Sequence, residues 1–163
     1  MVAHTTSNNN NNNNNNLNEI KSYKEDGLPL NPNFITGYVD GDGSFSIRLR
    51  KSSSSTFGYN ASIVFSIGAE VNPLNLKLLE RVKDYFGVGS ISKSGNMYFY
   101  EISSPKALIK VRKHFEEFPL QTTKQIYFKL WCEALDIIAN KEHLMESGFY
   151  KILSIKSVFP SEA

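Results

Sequence analysis

The chain has 163 residues, 40% of them apolar, so a single domain with an ordinary hydrophobic core is expected. Its 18 Lys and Arg residues against 16 Asp and Glu residues give a net charge of +2, too small a bias to indicate a nucleic-acid partner. The single Cys132 excludes an intramolecular disulfide and favours a reducing compartment, and no apolar run approaches the roughly 20 residues of a membrane span.

Residues 1–30 are predicted to be a disordered, asparagine-rich tail and lead-in. Nine consecutive asparagines, Asn8 to Asn16, cannot bury apolar surface. The tract is interpreted as a linker, a remnant of an upstream fusion or an added spacer. A single folded domain is expected over residues 31–160.

The domain is predicted to begin with a helix at Pro32, for which Asn31 is the N-cap, and this helix should end near Asp42. The next stretch, "SFSIRLRK", alternates apolar and polar residues, which is typical of a half-buried strand. After a serine-rich loop, "YNASIVFSI" predicts a second strand with its alternate apolar residues facing the core.

A second helix is predicted to run from about residue 74 to Phe86, where Gly87 ends it. The segments "VGSISK" and "MYFYEIS" predict two more strands joined by a short turn, and helices are expected after Ser104, from "FPLQTTKQ" onward and over about 144–157. The order predicts an α+β fold of the type αββαββα, with one four-stranded antiparallel saddle-shaped sheet and helices on one face.

The open face of the predicted sheet is polar. Arginine alternates there with serine and asparagine, which suits contacts with phosphates and base edges, although a solvated sheet face is the simpler interpretation. The predicted nucleic-acid contacts are Ser46, Arg48, Arg50, Asn60, Ser62, Ser66, Ser90, Ser92, Asn96, Tyr98 and Tyr100.

The turn "DGDG" at the end of the first helix has two interpretations. Asp40 or Asp42 could simply bond the backbone in a helix stop. A carboxylate at the negative end of a helix dipole is electrostatically misplaced, however, and a cation would relieve the cost. Glycine carbonyls beside Asp42 would suit Mg²⁺, with further ligands from a second chain and from phosphates.

The stretch "ITGYVDGDG" (residues 35–43) resembles the LAGLIDADG signature of homing endonucleases and their maturase relatives. The resemblance covers most of residues 31–160 and includes "YFGVGSI", "FPLQTTKQIYFKLW" and "NKEHLMESGFYKILSIK". A single signature is present, so the chain resembles the half-size members that act as homodimers. In that family two signature helices pack against each other, which implies an interface of Ile35, Thr36, Gly37, Val39 and Asp40.

The resemblance also implies site residues. Asp42 matches the metal-ligand acid, and Gly41 matches the position whose backbone carbonyl can join the coordination. Lys124 matches the active-site lysine, although it could also be an ordinary solvated lysine. Ala69 stands where the family usually carries a polar residue that positions water, and the neighbouring Glu70 is the candidate substitute. The implied cofactor is Mg²⁺, for which Mn²⁺ can substitute.

The resemblance implies a homodimeric endonuclease that hydrolyses both strands of a long double-stranded DNA target. Two alternatives stay open: a nucleic-acid binder without cleavage activity, such as an intron RNA maturase or a ribonucleoprotein component, and one half of a two-motif enzyme. A membrane partner is not expected. The first residues lack the arginines of a mitochondrial import peptide, but an organelle-encoded protein needs none, and a mitochondrial location follows from the resemblance.

Overall fold

The computed structural model describes residues 28–160, and their helices and strands follow the predicted order. The predicted disordered tail lies outside the described residues, apart from residues 28–30. None of the helices in this part of the chain combines the length and apolar character that crossing a bilayer requires. The elements are α1 (Pro32–Asp42), β1 (Gly43–Lys51), β2 (Tyr59–Glu70), α2 (Pro73–Phe86), β3 (Ser90–Ser94), β4 (Met97–Ile102), α3 (Pro105–Glu117), α4 (Lys124–Ala139), a 3-10 helix (Glu142–Leu144) and α5 (Glu146–Val158).

Local sequence signals account for the helix ends. The Asn31 side chain accepts a hydrogen bond of 2.8 Å from the backbone N–H of Asn33 at the beginning of α1, and Asn72 caps α2 in the same way. α2 ends at Gly87, whose φ of 67° lies in the left-handed region that glycine adopts without a steric cost. These boundaries confirm the predicted ones.

The four strands form one antiparallel sheet in the order β1-β2-β4-β3, and the helices cover one of its faces. Phe45 lies at the centre of the core, with its ring centroid 5.3–5.4 Å from those of Phe65, Phe115, Phe128 and Trp131. Such clusters of tilted and edge-to-face rings stabilise a core beyond the area they bury. The α+β prediction is therefore confirmed.

The predicted facing of β4 was wrong. Tyr100 is fully buried, its hydroxyl donates to the Val88 carbonyl at 2.7 Å, and Tyr98 also packs on the core side. The open face carries Met97, Phe99 and Glu101 instead. Aromatic residues occur at both odd and even positions of "MYFYEI", so alternation alone could not show which set faces the core. A tyrosine is readily buried once its hydroxyl has an acceptor.

Asn96 also lies elsewhere than predicted. It is in the exposed turn between β3 and β4, and not on the face of a strand. The other predicted polar residues of β1, β2 and β3 do lie on the open face, since the register places Arg48 opposite Ser62, Arg50 opposite Asn60 and Ser90 opposite Glu101.

A chain of hydrogen bonds through His114 connects α1 to α2 and α3. The Thr36 hydroxyl donates to the Phe118 carbonyl at 2.9 Å, so it must accept from His114 Nε2, which is 3.1 Å away. His114 Nδ1 then accepts from the Tyr85 hydroxyl at 2.8 Å. Thr36 and His114 are each only 5% exposed, so these bonds satisfy polar groups inside the core.

We predict that His114 makes the stability of the protein pH-dependent. Burial lowers the pKa of His114 to about 4, whereas an unfolded histidine titrates near 6.5. The folded state therefore binds this proton less readily, so its contribution is complete above pH 6.5 and is lost as the pH falls to about 4. The loss should amount to roughly 3 kcal/mol of unfolding free energy.

Urea denaturation of the wild type and His114→Gln between pH 7 and 4 measures this effect. The wild-type curve should fall more steeply with decreasing pH than the variant's curve. Parallel curves would contradict the prediction.

Candidate functional site

Helix α1 has an inward and an outward face, and most of the residues predicted for a dimer interface lie on the inward one. Ile35 and Val39 are fully buried, and Thr36 bonds within the core. These three residues are therefore unavailable to a second chain, and the prediction was wrong for them. The inward face is set by the helical period, because Ile35 and Val39 are four residues apart and form one stripe.

The outward face of α1 is formed by Phe34, Gly37, Tyr38 and Gly41. Phe34 is 47% exposed, and its ring stacks on Tyr38 with centroids 6.1 Å apart. A Cβ atom added at Gly37 or Gly41 would meet nothing within 4 Å, so neither glycine is required by packing within residues 28–160. This small, partly apolar face allows another helix to approach closely.

The end of α1 and the beginning of α4 stabilise each other through polar contacts. Lys124 Nζ donates to the carbonyls of Val39 at 2.8 Å and Asp40 at 3.1 Å, where the end of a helix leaves carbonyls without partners. In return, the Asp40 carboxylate accepts from the backbone N–H of Gln121 at 2.8 Å and from the Thr122 hydroxyl at 2.6 Å. Each helix end thus receives the charge that its dipole favours.

These contacts perturb both charged groups. Partial burial opposes ionisation of Asp40, but its hydrogen bonds and the charge of Lys124 lower the pKa below its ordinary value. Burial lowers the pKa of Lys124, and the charges of Asp40 and Asp42 offset part of that shift. Asp40 is consequently a structural acid, fixed to the loop before α4.

Asp42 is two residues further on and, unlike Asp40, is not fixed by hydrogen bonds from other described residues. Its side chain is exposed, and within residues 28–160 it takes no hydrogen bond and no salt bridge. It lies close enough to Lys124 to affect the lysine electrostatically. With the exposed Gly41 beside it, Asp42 provides one carboxylate and one backbone carbonyl, which are ligand types that Mg²⁺ accepts.

The described residues 28–160 contain no cluster of three or more His, Cys, Asp or Glu side chains able to bind a metal ion. Asp42 fits a metal site only if further ligands come from outside this part of the chain. Mg²⁺ is commonly bound in this way, with one or two carboxylates and substrate phosphates.

Strand β2 extends past the beginning of β1, toward the end of α1. Gly43 pairs with Ile67, so the last residues of β2 lie at the level of Asp42. Ala69 faces the core and is 9% exposed, and its match to the position of the family's water-positioning residue stays a prediction. Glu70 is exposed on the open face, and its catalytic role stays a prediction.

Four residues of the open face were not predicted from the sequence. Glu101 binds Arg48, while Val64, Met97 and Phe99 give the centre of the face an apolar component. Gly68 lies under this component, since an added Cβ would be 3.3 Å from Phe99 and 3.4 Å from Met97. Knowledge that Ser66 pairs with Glu101 would have placed the β4 residues of this set on the open face.

Comparison with known proteins gives consistent results. The family model described as LAGLIDADG endonuclease matches residues 35–135. An uncharacterised 50.9 kDa protein in ND4 intron 1 of Podospora anserina is 39% identical over 116 residues, which are 71% of this chain and 26% of that protein. A probable intron-encoded endonuclease 3 of Neurospora crassa is 34% identical over 133 residues, which are 80% of this chain and 25% of that protein. The chain therefore spans about a quarter of the length of these relatives.

Solved structures resemble the fold closely. The LAGLIDADG meganuclease I-CpaMI bound to uncleaved DNA superposes with a TM-score of 0.77 at 38% identity, over 82% of this chain and 45% of that one. The homing endonuclease I-TnaI gives a TM-score of 0.78 at 28% identity, over 83% of this chain and 92% of that one.

We predict that the two acids at the end of α1 differ in their effect on stability. Asp40→Ala removes the acceptor for the loop before α4 and should lower the unfolding free energy by about 1–2 kcal/mol. Asp42→Ala serves as the matched control and should change it by less than about 0.5 kcal/mol, because its side chain is exposed and unbonded. Urea denaturation at pH 7 measures both, and equal losses would contradict the assignment.

Proposed function

Because the chain belongs to the LAGLIDADG endonuclease family, we propose that it is a Mg²⁺-dependent, sequence-specific double-strand DNA endonuclease that acts as a homodimer. The observation that carries the proposal is the exposed Asp42 carboxylate beside Lys124, at the edge of an open polar sheet. An acid without a protein partner at the negative end of a helix has an electrostatic reason to bind a cation.

Asp42 and the Gly41 carbonyl would bind the ion, together with phosphate oxygens and the same residues of a second copy. The chemistry that such an ion supplies is activation of a water molecule and stabilisation of the leaving 3′ oxygen. Lys124 carries three N–H protons, of which two are donated to the Val39 and Asp40 carbonyls. The third can reach a phosphate oxygen or the attacking water, where a positive charge stabilises the developing negative charge.

The open face of the sheet would read the target. Its exposed and half-exposed serines and Asn60 offer neutral hydrogen-bonding groups, and Arg50 is exposed at the outer end of β1. Neutral groups suit base edges, whereas arginines suit guanine and phosphate. Similar structures include the meganuclease I-CpaMI bound to uncleaved DNA and the homing endonuclease I-SmaMI bound to cleaved DNA, which supports duplex DNA as the partner.

Two copies would meet through the outward face of α1, because Gly37 and Gly41 permit a close approach there. The chain matches almost the whole of I-TnaI but less than half of I-CpaMI, so it has the extent of one half-domain. That extent also supports the second candidate, in which the unit is one half of a two-motif enzyme. Relatives in ND4 and cox1 introns support a mitochondrial origin, and intron RNA binding stays a prediction.

We predict that Asp42→Asn abolishes cleavage and retains DNA binding. Removing a metal-ligand charge should lower the cleavage rate more than 100-fold, since even indirect partners of a metal ligand cost about 10–100-fold. Gel assays of plasmid cleavage in Mg²⁺ and of duplex binding, using DNA that carries the intron insertion site, measure the two properties. A wild-type protein that never cuts this DNA would falsify the proposal.

We predict that Gly37→Leu prevents self-association without unfolding the monomer. The leucine has room within its own chain, but it would separate two helices that meet at this position. Lys113→Leu adds the same side chain to an exposed position of α3 and is the matched control. Sedimentation on target DNA should show dimers for the wild type and the control, and monomers for Gly37→Leu. A wild type that stays monomeric on DNA would exclude self-pairing and favour the two-motif alternative.

A further inference from the structure

We infer that Glu101 determines part of the target specificity by positioning Arg48, an inference that rests on the proposed DNA-binding function. Arg48 Nη1 donates to Glu101 Oε1 at 2.7 Å, and Nη2 donates to Oε2 at 2.6 Å. Two parallel bonds of this kind fix the guanidinium plane as well as its distance from the acid. Both side chains remain about one third exposed, so the pair lies at the surface of the sheet.

The ion pair crosses the middle of the open face. Arg48 lies on β1 opposite Ser62, and Glu101 lies on β4 opposite Ser66, so the two side chains meet across β2. Val64 is between these serines on the same face and is only 1% exposed. The register therefore places the ion pair across β2 at the level of Val64.

The negative charge of Glu101 would repel phosphates on a DNA-binding surface, so its presence there needs a compensating effect. An arginine without a carboxylate partner samples many rotamers and contacts whichever phosphate is near, which adds affinity without reading sequence. A guanidinium carries five N–H donors in one plane, so an acid that fixes the plane also fixes the direction in which it meets a base. Glu101 therefore exchanges non-specific attraction for a preference at one base pair, where the geometry of Arg48 favours guanine.

The test is a binding selection from duplex DNA with a randomised target, followed by sequencing, for the full chain and its Glu101 variants. The wild type should prefer guanine at one position by about tenfold or more. Glu101→Gln should reduce that preference to about threefold or less and leave the other positions unchanged, while affinity for unselected DNA stays equal or rises. Arg48→Gln should relax the same position, and the double variant should resemble the single ones, because both changes remove one interaction.

Two further variants separate positioning from stability. Asp136→Asn breaks an ion pair of the same 2.6 Å length, with Arg112 in the helical layer, and should leave every base preference unchanged. Glu101→Asp keeps the charge but shortens the side chain, so it should relax the same position partly. A wild type that enriches no sequence would contradict the proposed function. A wild type that enriches a motif, with both Glu101 variants retaining it at every position or weakening all positions equally, would overturn the inference.

Discussion

The position of the candidate site depends on the reciprocal contacts between the end of α1 and the beginning of α4. A lysine from α4 occupies the carbonyls at the negative end of α1, and an aspartate from α1 occupies the N–H groups before α4. On α1, both contacts lie within two residues of Gly41, next to the exposed Asp42. They therefore fix the position of this acid without bonding to its side chain. Packing alone would leave that end of the helix free to fray.

The open face combines hydrogen-bonding groups with little unbalanced charge. Arg48 is neutralised by Glu101, so in the proposed DNA complex the exposed Arg50 at the outer end of β1 would contribute more of the attraction for phosphates. This distribution agrees with a chain whose net charge is only +2. If this face binds DNA as proposed, its neutral groups would be satisfied only by a matching sequence, so they would distinguish bases more than they raise affinity.

The sequence predicted the features that depend on local signals and missed those that depend on partners. Asn31, Pro32 and Gly87 mark helix ends through their own chemistry, so those boundaries were correct. The burial of Tyr100 and the pairing of Arg48 with Glu101 depend on how β2 aligns with β4, which periodicity does not encode. The inward position of Ile35 and Thr36 was missed because the interface was assigned along the whole signature and not along one stripe of the helix.

The chain of bonds from Tyr85 through His114 to Thr36 has a consequence for cooperativity. If α1 detached from the domain while the rest stayed folded, the Nε2–H of His114 and the Phe118 carbonyl would lose Thr36 as their partner, and each such unsatisfied group costs roughly 1–3 kcal/mol if it stays buried. Local opening of α1 therefore carries this cost in addition to the exposure of its buried apolar residues Ile35 and Val39. The helix that carries Asp42 is thus tied to the core by polar as well as apolar contacts, although one of its faces is bare.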